Sequence, residues 1–228
     1  MEREALVTGA SGGIGAATCR RLREEGWHVT GLARTASTVA TASVCVDVTR
    51  FDDLLAAFDA VPRLRLLVHA AATIGPVTPL PVSDPDEWRR AAEVNLLGTY
   101  NVLRAALAGP LTGNGGVAIH LTSGAASNAK PCWSAYSASK AGAEHLIRSA
   151  ASDLAGTACG VCSLDPGITE TPMQRQVRAR DFPDRERFVR VYEAHAGHTP
   201  DEVADAICEL SRREPSALNG QTFRVGWL

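Results

Sequence analysis

Lysine is nearly missing from this 228-residue chain. Of its 23 basic residues only Lys130 and Lys140 are lysine; the rest are arginine. Tyrosine is almost as scarce, with three residues. No run of about 18 apolar residues occurs, which excludes a membrane-spanning helix. The opening stretch MEREALVTGAS lacks the apolar core of a secretion signal, so a cytoplasmic location is expected. A net charge of −2, with arginines spread along the chain, gives no reason to expect nucleic acid or an anionic membrane as partner. Six scattered cysteines do not form a disulfide framework. Cys159 and Cys162 make a CxxC, but in ACGVCSLD they read as strand residues facing opposite sides, which argues against a metal or redox pair. No metal site is expected. No repeat, linker or low-complexity segment divides the chain, so residues 1–228 read as a single domain.

What is present is an alternation of short apolar runs with helical stretches. Strands are expected at 5–8, 28–33, 43–48, 64–70, 116–123, 160–165 and 221–225. Helices are expected to about Glu25, then at 51–60, 84–108 and 134–155, with another from Thr199. Ser83 is a possible cap for the helix at 84–108. Continuous apolar strands between helices imply an α/β fold: a doubly wound, Rossmann-type parallel sheet with helices on both faces.

The first strand runs into TGASGGIGAATCRRL, with glycines at 9, 12, 13 and 15. Glycine permits the sharp turn and lets backbone approach a pyrophosphate. The helix that follows offers the anion its free N–H groups and its positive dipole end. Placed between strand and helix, the cluster points to a dinucleotide. The second strand ends GLARTAS, with Ala33 where an acid would select NAD and Arg34 beside it. Arginine can grip a 2′-phosphate in a bidentate pair, so NADP(H) is the expected cofactor. A solvated loop arginine is the competing reading.

Lys140 follows Tyr136 by four residues, so the two share a helix face. A nearby ammonium is expected to lower the phenol pKa. Only lysine, a compact charge on a flexible stem, could also reach ribose hydroxyls. Thirteen residues before Tyr136, Ser123 stands at the tip of the fifth strand, where open parallel sheets place their sites.

These features sit with TGASGGIG at 8–15, CVDV at 45–48, VNLLGTYNV at 94–102 and DPGITETPM at 165–173. Together, over nearly the whole length, they resemble the short-chain dehydrogenase/reductase family. The resemblance implies that Gly9, Ser11, Gly12, Gly13 and Ile14 wrap the cofactor phosphates, and that Asp47 and Val48 flank adenine. It implies that Asn95 bends its helix and binds a water linking Lys140 to solvent. Ser123 would orient a carbonyl, Tyr136 would be the general acid, and Lys140 would grip the nicotinamide ribose. Pro166, Gly167, Thr169 and Thr171 would hold the nicotinamide. The family often has Asn-Asn-Ala-Gly where this chain has His69-Ala70-Ala71-Ala72. The three alanines still allow close approach of the cofactor, and His69 reads as a core histidine with satisfied hydrogen bonds.

Residues 169–198 are too many for a plain connection and read as a lid. Its Met173, Phe182, Phe188 and Tyr192, with Trp133, are candidates for an apolar substrate pocket, unless these aromatics only pack the lid itself. His195 and His198 read as polar loop residues. The lid resembles that of sepiapterin reductase and benzil reductase members, although the chain ends FRVGWL without the acid that pterin binders carry. The expected activity is therefore NADPH-dependent, reversible reduction of a ketone or diketone. Alternatives on the same fold are a non-catalytic NADP(H)-binding sensor or scaffold, and a cofactor-retaining lyase or epimerase. The family resemblance implies a homodimer or homotetramer joined through the helices at 84–108 and 134–155.

Overall fold

The computed structural model describes residues 3–227. Seven parallel strands form one sheet: β1 (Arg3–Thr8), β2 (Trp27–Ala33), β3 (Ala42–Cys45), β4 (Leu64–His69), β5 (Val117–Leu121), β6 (Gly160–Asp165) and β7 (Thr222–Arg224). Their order across the sheet is β3-β2-β1-β4-β5-β6-β7. The crossover from β3 past β1 to β4 makes the strand ends of β1 and β4 the switch point, where doubly wound folds bind ligands.

Both faces of the sheet are covered, which is why the central strands are mostly apolar. On one face Leu6, Leu67, Ala118 and Val161 pack against α2 (Phe51–Asp59), α4 (Gly98–Leu107) and α5 (Ser134–Asp153) through Leu54, Phe58, Val102 and Ile147. On the other, Val7, Val68, Ile119 and Cys162 meet Leu22 of α1 (Gly13–Glu24) and Val203 and Ile207 of α8 (Pro200–Ser211). Cys159 lies in the first core and Cys162 in the second, so the two thiols of the CxxC are separated by the sheet.

The helix expected at 84–108 is α3 (Pro85–Ala92) and α4, joined by a π-helical turn at Glu93–Leu97. Its cap is Asp84, whose carboxylate accepts from the Asp86 and Glu87 amides, and not Ser83. A carboxylate one residue closer to the helix meets the dipole as well as the N–H groups. The third strand stops at Cys45, three residues early. Asp47 turns back to accept from the Thr49 amide and hydroxyl at 3.0 and 2.8 Å, which ends the ladder. The lid holds α6 (Pro172–Arg178) and α7 (Arg185–Glu193), and α9 (Pro215–Leu218) leads into β7.

The lid is pinched shut at its root. Thr169 and His198 form a lone parallel bridge, the His198 amide donates to Ile168 at 2.8 Å, and the Glu170 amide donates to His198 at 2.9 Å. Arg178 clamps Glu170 with two bonds of 2.7 and 2.8 Å.

Candidate active site

The chain doubles back on itself between β1 and α1. Gly9 has φ +69°, and a Cβ there would stand 3.0 Å from the backbone of Ala70 and Ala71. A Cβ at Gly15 would collide with the Gly9 carbonyl oxygen. Gly12, by contrast, has nothing within 4 Å of where its Cβ would be. No side chain caps α1 and no acid sits in its first turn, so the amides there are left for an anion. Ser11 and Gly12 are exposed, while Gly13 and Ile14 are half-buried. Arg34 is exposed at the tip of β2, close enough to Asp47 to lower its pKa. Burial works against that carboxylate, but the Thr49 bonds, Arg90 and Arg34 together hold it below the ordinary range. Val48 is buried, its carbonyl held by the Asn101 amide at 3.0 Å.

The departure at residues 69–72 is resolved by one threonine. Thr8 Oγ1 accepts from the Ala70 and Ala71 amides, each at 3.1 Å, which leaves its proton for His69 Nδ1 at 2.8 Å. On the other side of the ring, Thr99 Oγ1 lies 3.1 Å from Nε2 and spends its own proton on the Asn95 carbonyl at 2.6 Å. The network therefore requires neutral His69 protonated at Nε2. Burial first, and Lys140 second, push this histidine down to about 3. His120 of β5, which the sequence did not single out, stacks on it at 5.5 Å and is pushed well below its ordinary value by burial, Lys140 and His69. Both rings protonate more readily once the chain unfolds, so the unfolded state binds more protons below about pH 6.5. Stability is expected to fall on acidification by up to about 1.4 kcal/mol per pH unit for each ring. Urea titrations between pH 7 and 4 will measure this, and His120→Asn should flatten the slope; an unchanged slope would refute it.

Asn95, Ser123, Tyr136 and Lys140 converge beyond the ends of β4 and β5. Asn95 lies in the π-helical turn, where the extra residue swings its amide inward. Its Oδ1 accepts from the Thr73 amide at 2.9 Å, and its Nδ2 donates to the Thr73 carbonyl at 2.9 Å and to Ser139 Oγ at 3.0 Å. Ser139 in turn donates to the Tyr136 carbonyl at 3.0 Å. Ser123 caps a short turn at the tip of β5 through the Ala125 amide. Tyr136, in the first turn of α5, is 7% exposed. Burial pushes its phenol up to about 12; a hydrogen bond with Ser123 pulls the other way, and the Asp165 carboxylate adds to the rise. Lys140 is pushed down to about 8 by burial, against the support of Glu144.

The expectation that Lys140 acidifies the phenol does not hold in this state. Its Nζ donates to the Leu121 carbonyl at 2.6 Å, and desolvation of Tyr136 dominates. A buried phenol without an ammonium aimed at it keeps its proton.

Pro166 and Gly167 form the turn after β6. The Gly167 amide donates to Asp165 Oδ1 at 3.0 Å, and Thr169 Oγ1 donates to the Pro166 carbonyl at 2.9 Å. Thr171 caps α6. Trp133, Phe182 and Phe188 form one cluster with ring centroids 5.4–5.9 Å apart, and Trp133 meets Tyr136 edge-on at 5.7 Å. Met173 packs at its margin. Tyr192 is not brought in: it is 51% exposed, with the Arg178 guanidinium 4.1 Å above its ring. Val177, Phe182 and Phe188 of the 169–198 segment thus pack in one apolar cluster with Trp133 and Tyr136. His198 serves the lid root, and among the described residues no three His, Cys, Asp or Glu side chains gather as metal ligands.

Glu144, Ser139 and His120 are the neighbours that sequence reading missed. Glu144 had a signal, since it extends the Tyr136–Lys140 spacing by one more turn.

Comparison with known proteins agrees with this geometry. A family model described as short chain dehydrogenase matches residues 3–181. A cis-4-hydroxycyclohexanecarboxylate dehydrogenase of Sinomonas cyclohexanicum is 34% identical, over 98% of this chain and 95% of its own. A benzil reductase ((S)-benzoin forming) of Bacillus subtilis is 29% identical over 96% and 97%. The ligand-free aldohexose dehydrogenase of Thermoplasma acidophilum superposes with a TM-score of 0.87 at 28% identity, covering 98% of this chain and 92% of that one.

Proposed function

Because the chain belongs to the short-chain dehydrogenase family, whose members are oxidoreductases of alcohol and carbonyl groups, we propose that it is an NADP(H)-dependent reductase of ring-bearing ketones or vicinal diketones. The observation that carries this reading is the convergence of Ser123, Tyr136, Lys140 and Asn95 beneath the aromatic cluster of Trp133, Phe182 and Phe188.

The residues fit a dinucleotide. The uncapped α1 terminus and the open side of Gly12 accept the phosphates, with Gly9, Ser11, Gly13 and Ile14 shaping the turn. Asp47 and Val48 line the adenine side, and Ala70, Ala71 and Ala72 leave room along the strand ends. Pro166, Gly167, Thr169 and Thr171 face the nicotinamide end. Arg34, unopposed by an acid at position 33, holds a 2′-phosphate. When bound, the cofactor supplies the hydride.

The chain supplies the proton and its placement. The raised phenol of Tyr136 arrives protonated at neutral pH, as the acid of a reduction must. Ser123 shares that hydrogen bond and fixes the carbonyl oxygen beside it. Lys140 holds the proton that refills the phenol, and Asn95 locks the helix turn carrying both through Ser139 and Thr73. The apolar cluster excludes water and favours a ring, in keeping with the ring compounds in the names of two relatives. Leu97 and Tyr100, exposed beside the π-helical turn, support assembly into a homodimer or homotetramer through α3, α4 and α5.

The test is loss of NADPH absorbance with benzil, aryl diketones and substituted cyclohexanones. Turnover is expected, with benzoin-type or cyclohexanol products; no turnover of any of them would overturn the substrate class. Arg34→Ala is expected to raise KM for NADPH about tenfold and leave that for NADH unchanged, since one charge-assisted phosphate pair is lost. Equal changes for both coenzymes would remove Arg34 from that role.

A further inference from the structure

Three locally unfavourable features coincide at residues 132 and 133, just before the helix that carries the phenol. The first is backbone strain. Cys132 has φ +66°. The other non-glycine residue with positive φ among those described, His195, follows α7, where that conformation closes a helix's last turn. Cys132 instead precedes α5, where helix geometry does not call for it. Its carbonyl is held by the Thr78 amide at 3.0 Å, and the Trp133 amide donates to the Lys130 carbonyl at 3.2 Å.

The second is the cap. Trp133 occupies the N-cap of α5 and makes no side-chain cap bond, where serine, threonine or aspartate would. The third is an unmet donor. Trp133 is 5% exposed, and its indole N–H has no acceptor among the described residues. A buried tryptophan N–H ordinarily finds one. Trp88 does so, donating to Ser134 Oγ at 3.2 Å. Trp27 also lacks an acceptor, but it lies where β2 begins, at the opposite end of the sheet from the site.

Residues that break several local rules at once are expected where a ligand is held. Their surroundings say what kind. Trp133 meets Tyr136 edge-on with ring centroids 5.7 Å apart and stacks on Phe188 at 5.4 Å. Two more buried oxygens without a partner among the described residues border the same cluster: Thr78 Oγ1 beside Val77, and Gln174 Oε1 beside Met173. A hydrocarbon ligand would leave all of these groups unbonded. A charged one would be stranded among aromatic rings. A neutral ligand with more than one oxygen suits both conditions.

We propose that Trp133 is a specificity-determining residue: its indole N–H binds a second oxygen, on the carbon next to the carbonyl that Tyr136 protonates, and so selects vicinal diketones over simple ketones. This rests on the reductase reading for the reaction, though not for the binding. Because the indole and the phenol are in ring contact, their two donors fall within the span of adjacent carbonyl groups. Trp133 touches the substrate but moves no proton. One hydride from the dinucleotide and one proton from Tyr136 both reach the first carbonyl. The second keeps its double bond on Trp133, and the product is an α-hydroxyketone.

The probes are acetylbenzoyl, a neutral vicinal diketone, and propiophenone and phenylacetone, each of which lacks one of its two oxygens. Acetylbenzoyl is expected to be reduced with a kcat/KM at least about tenfold above either mono-ketone, because a site built to bond an oxygen discriminates against the analogue without it. Trp133→Phe keeps an aromatic ring and removes the N–H, and is expected to lower that preference about tenfold. A merely structural loss would slow all three alike; an unchanged preference overturns the proposal. Binding is read separately by NMR. Protein labelled with 15N-tryptophan gives four indole signals. Acetylbenzoyl added to the NADP-loaded protein is expected to move the Trp133 N–H signal downfield, and neither mono-ketone to do so. A Trp133 signal that stays in place at every acetylbenzoyl concentration overturns the proposal. The titration needs no turnover, so a chain that bound the diketone on Trp133 without reducing it would lose the reductase reading and keep this site.

Discussion

Tyr136→Phe is expected to lower kcat about a thousandfold, the scale of losing a positioned general acid, while leaving NADPH affinity and melting temperature nearly unchanged. The change removes one oxygen from a ring that Trp133 contacts edge-on and that the lid covers, so the packing stays as it is. What is lost is a proton held ready in a dry site, kept on the phenol by burial and shared with Ser123. Single-turnover kinetics with a diketone would measure the loss, and cofactor fluorescence would confirm that the dinucleotide still binds. A kcat within about threefold of the parent would remove Tyr136 from the mechanism.

The second large effect is expected at Gly15. A methyl group there would run into the Gly9 carbonyl oxygen, part of a turn whose Gly9 already packs close to the backbone of Ala70 and Ala71. Gly15→Ala should therefore cost about 2–3 kcal/mol of stability and weaken NADPH binding at least about a hundredfold, since the phosphate-facing turn must open to relieve the clash. Gly12 separates the two effects. Its φ of −171° suits any residue, and its Cβ would point into open space. Gly12→Val should leave stability intact and impair only the approach of the dinucleotide. Calorimetry with and without NADPH distinguishes the cases; equal stability for Gly15→Ala and the parent would show that the turn is not under this constraint.

How much of this was legible beforehand depended on the range of the cause. The seven strands, the glycine turn and the Tyr136–Lys140 spacing are local patterns, and the structure has each of them close to its expected place, the third strand ending early at Cys45. The π-helical turn at 93–97 was not legible, because no residue preference marks an extra residue in a helix; Asn95 takes that position through bonds to Thr73 and Ser139, 22 and 44 residues away. His69 could be read as a bonded core residue, but its partners Thr8 and Thr99 could not be named without register. His120 gave no signal at all, since its place beside His69 is set by the pairing of β4 with β5. For a related reason, sequence puts Lys140 next to the phenol but cannot show the Leu121 carbonyl that engages it. Tyr192 looked like its aromatic neighbours in composition, yet Arg178, clamped to Glu170, draws it to the surface.

The bridge between Thr169 and His198 has an evolutionary corollary. A segment that leaves and rejoins the body at a single seam behaves as a detachable cassette: its thirty or so residues can be lengthened, trimmed or traded while the strands beneath never register the exchange. On the proposed reductase reading, recognition of the reactant and handling of the coenzyme are then separate inheritances, and a lineage can retool the first by grafting while keeping the second intact.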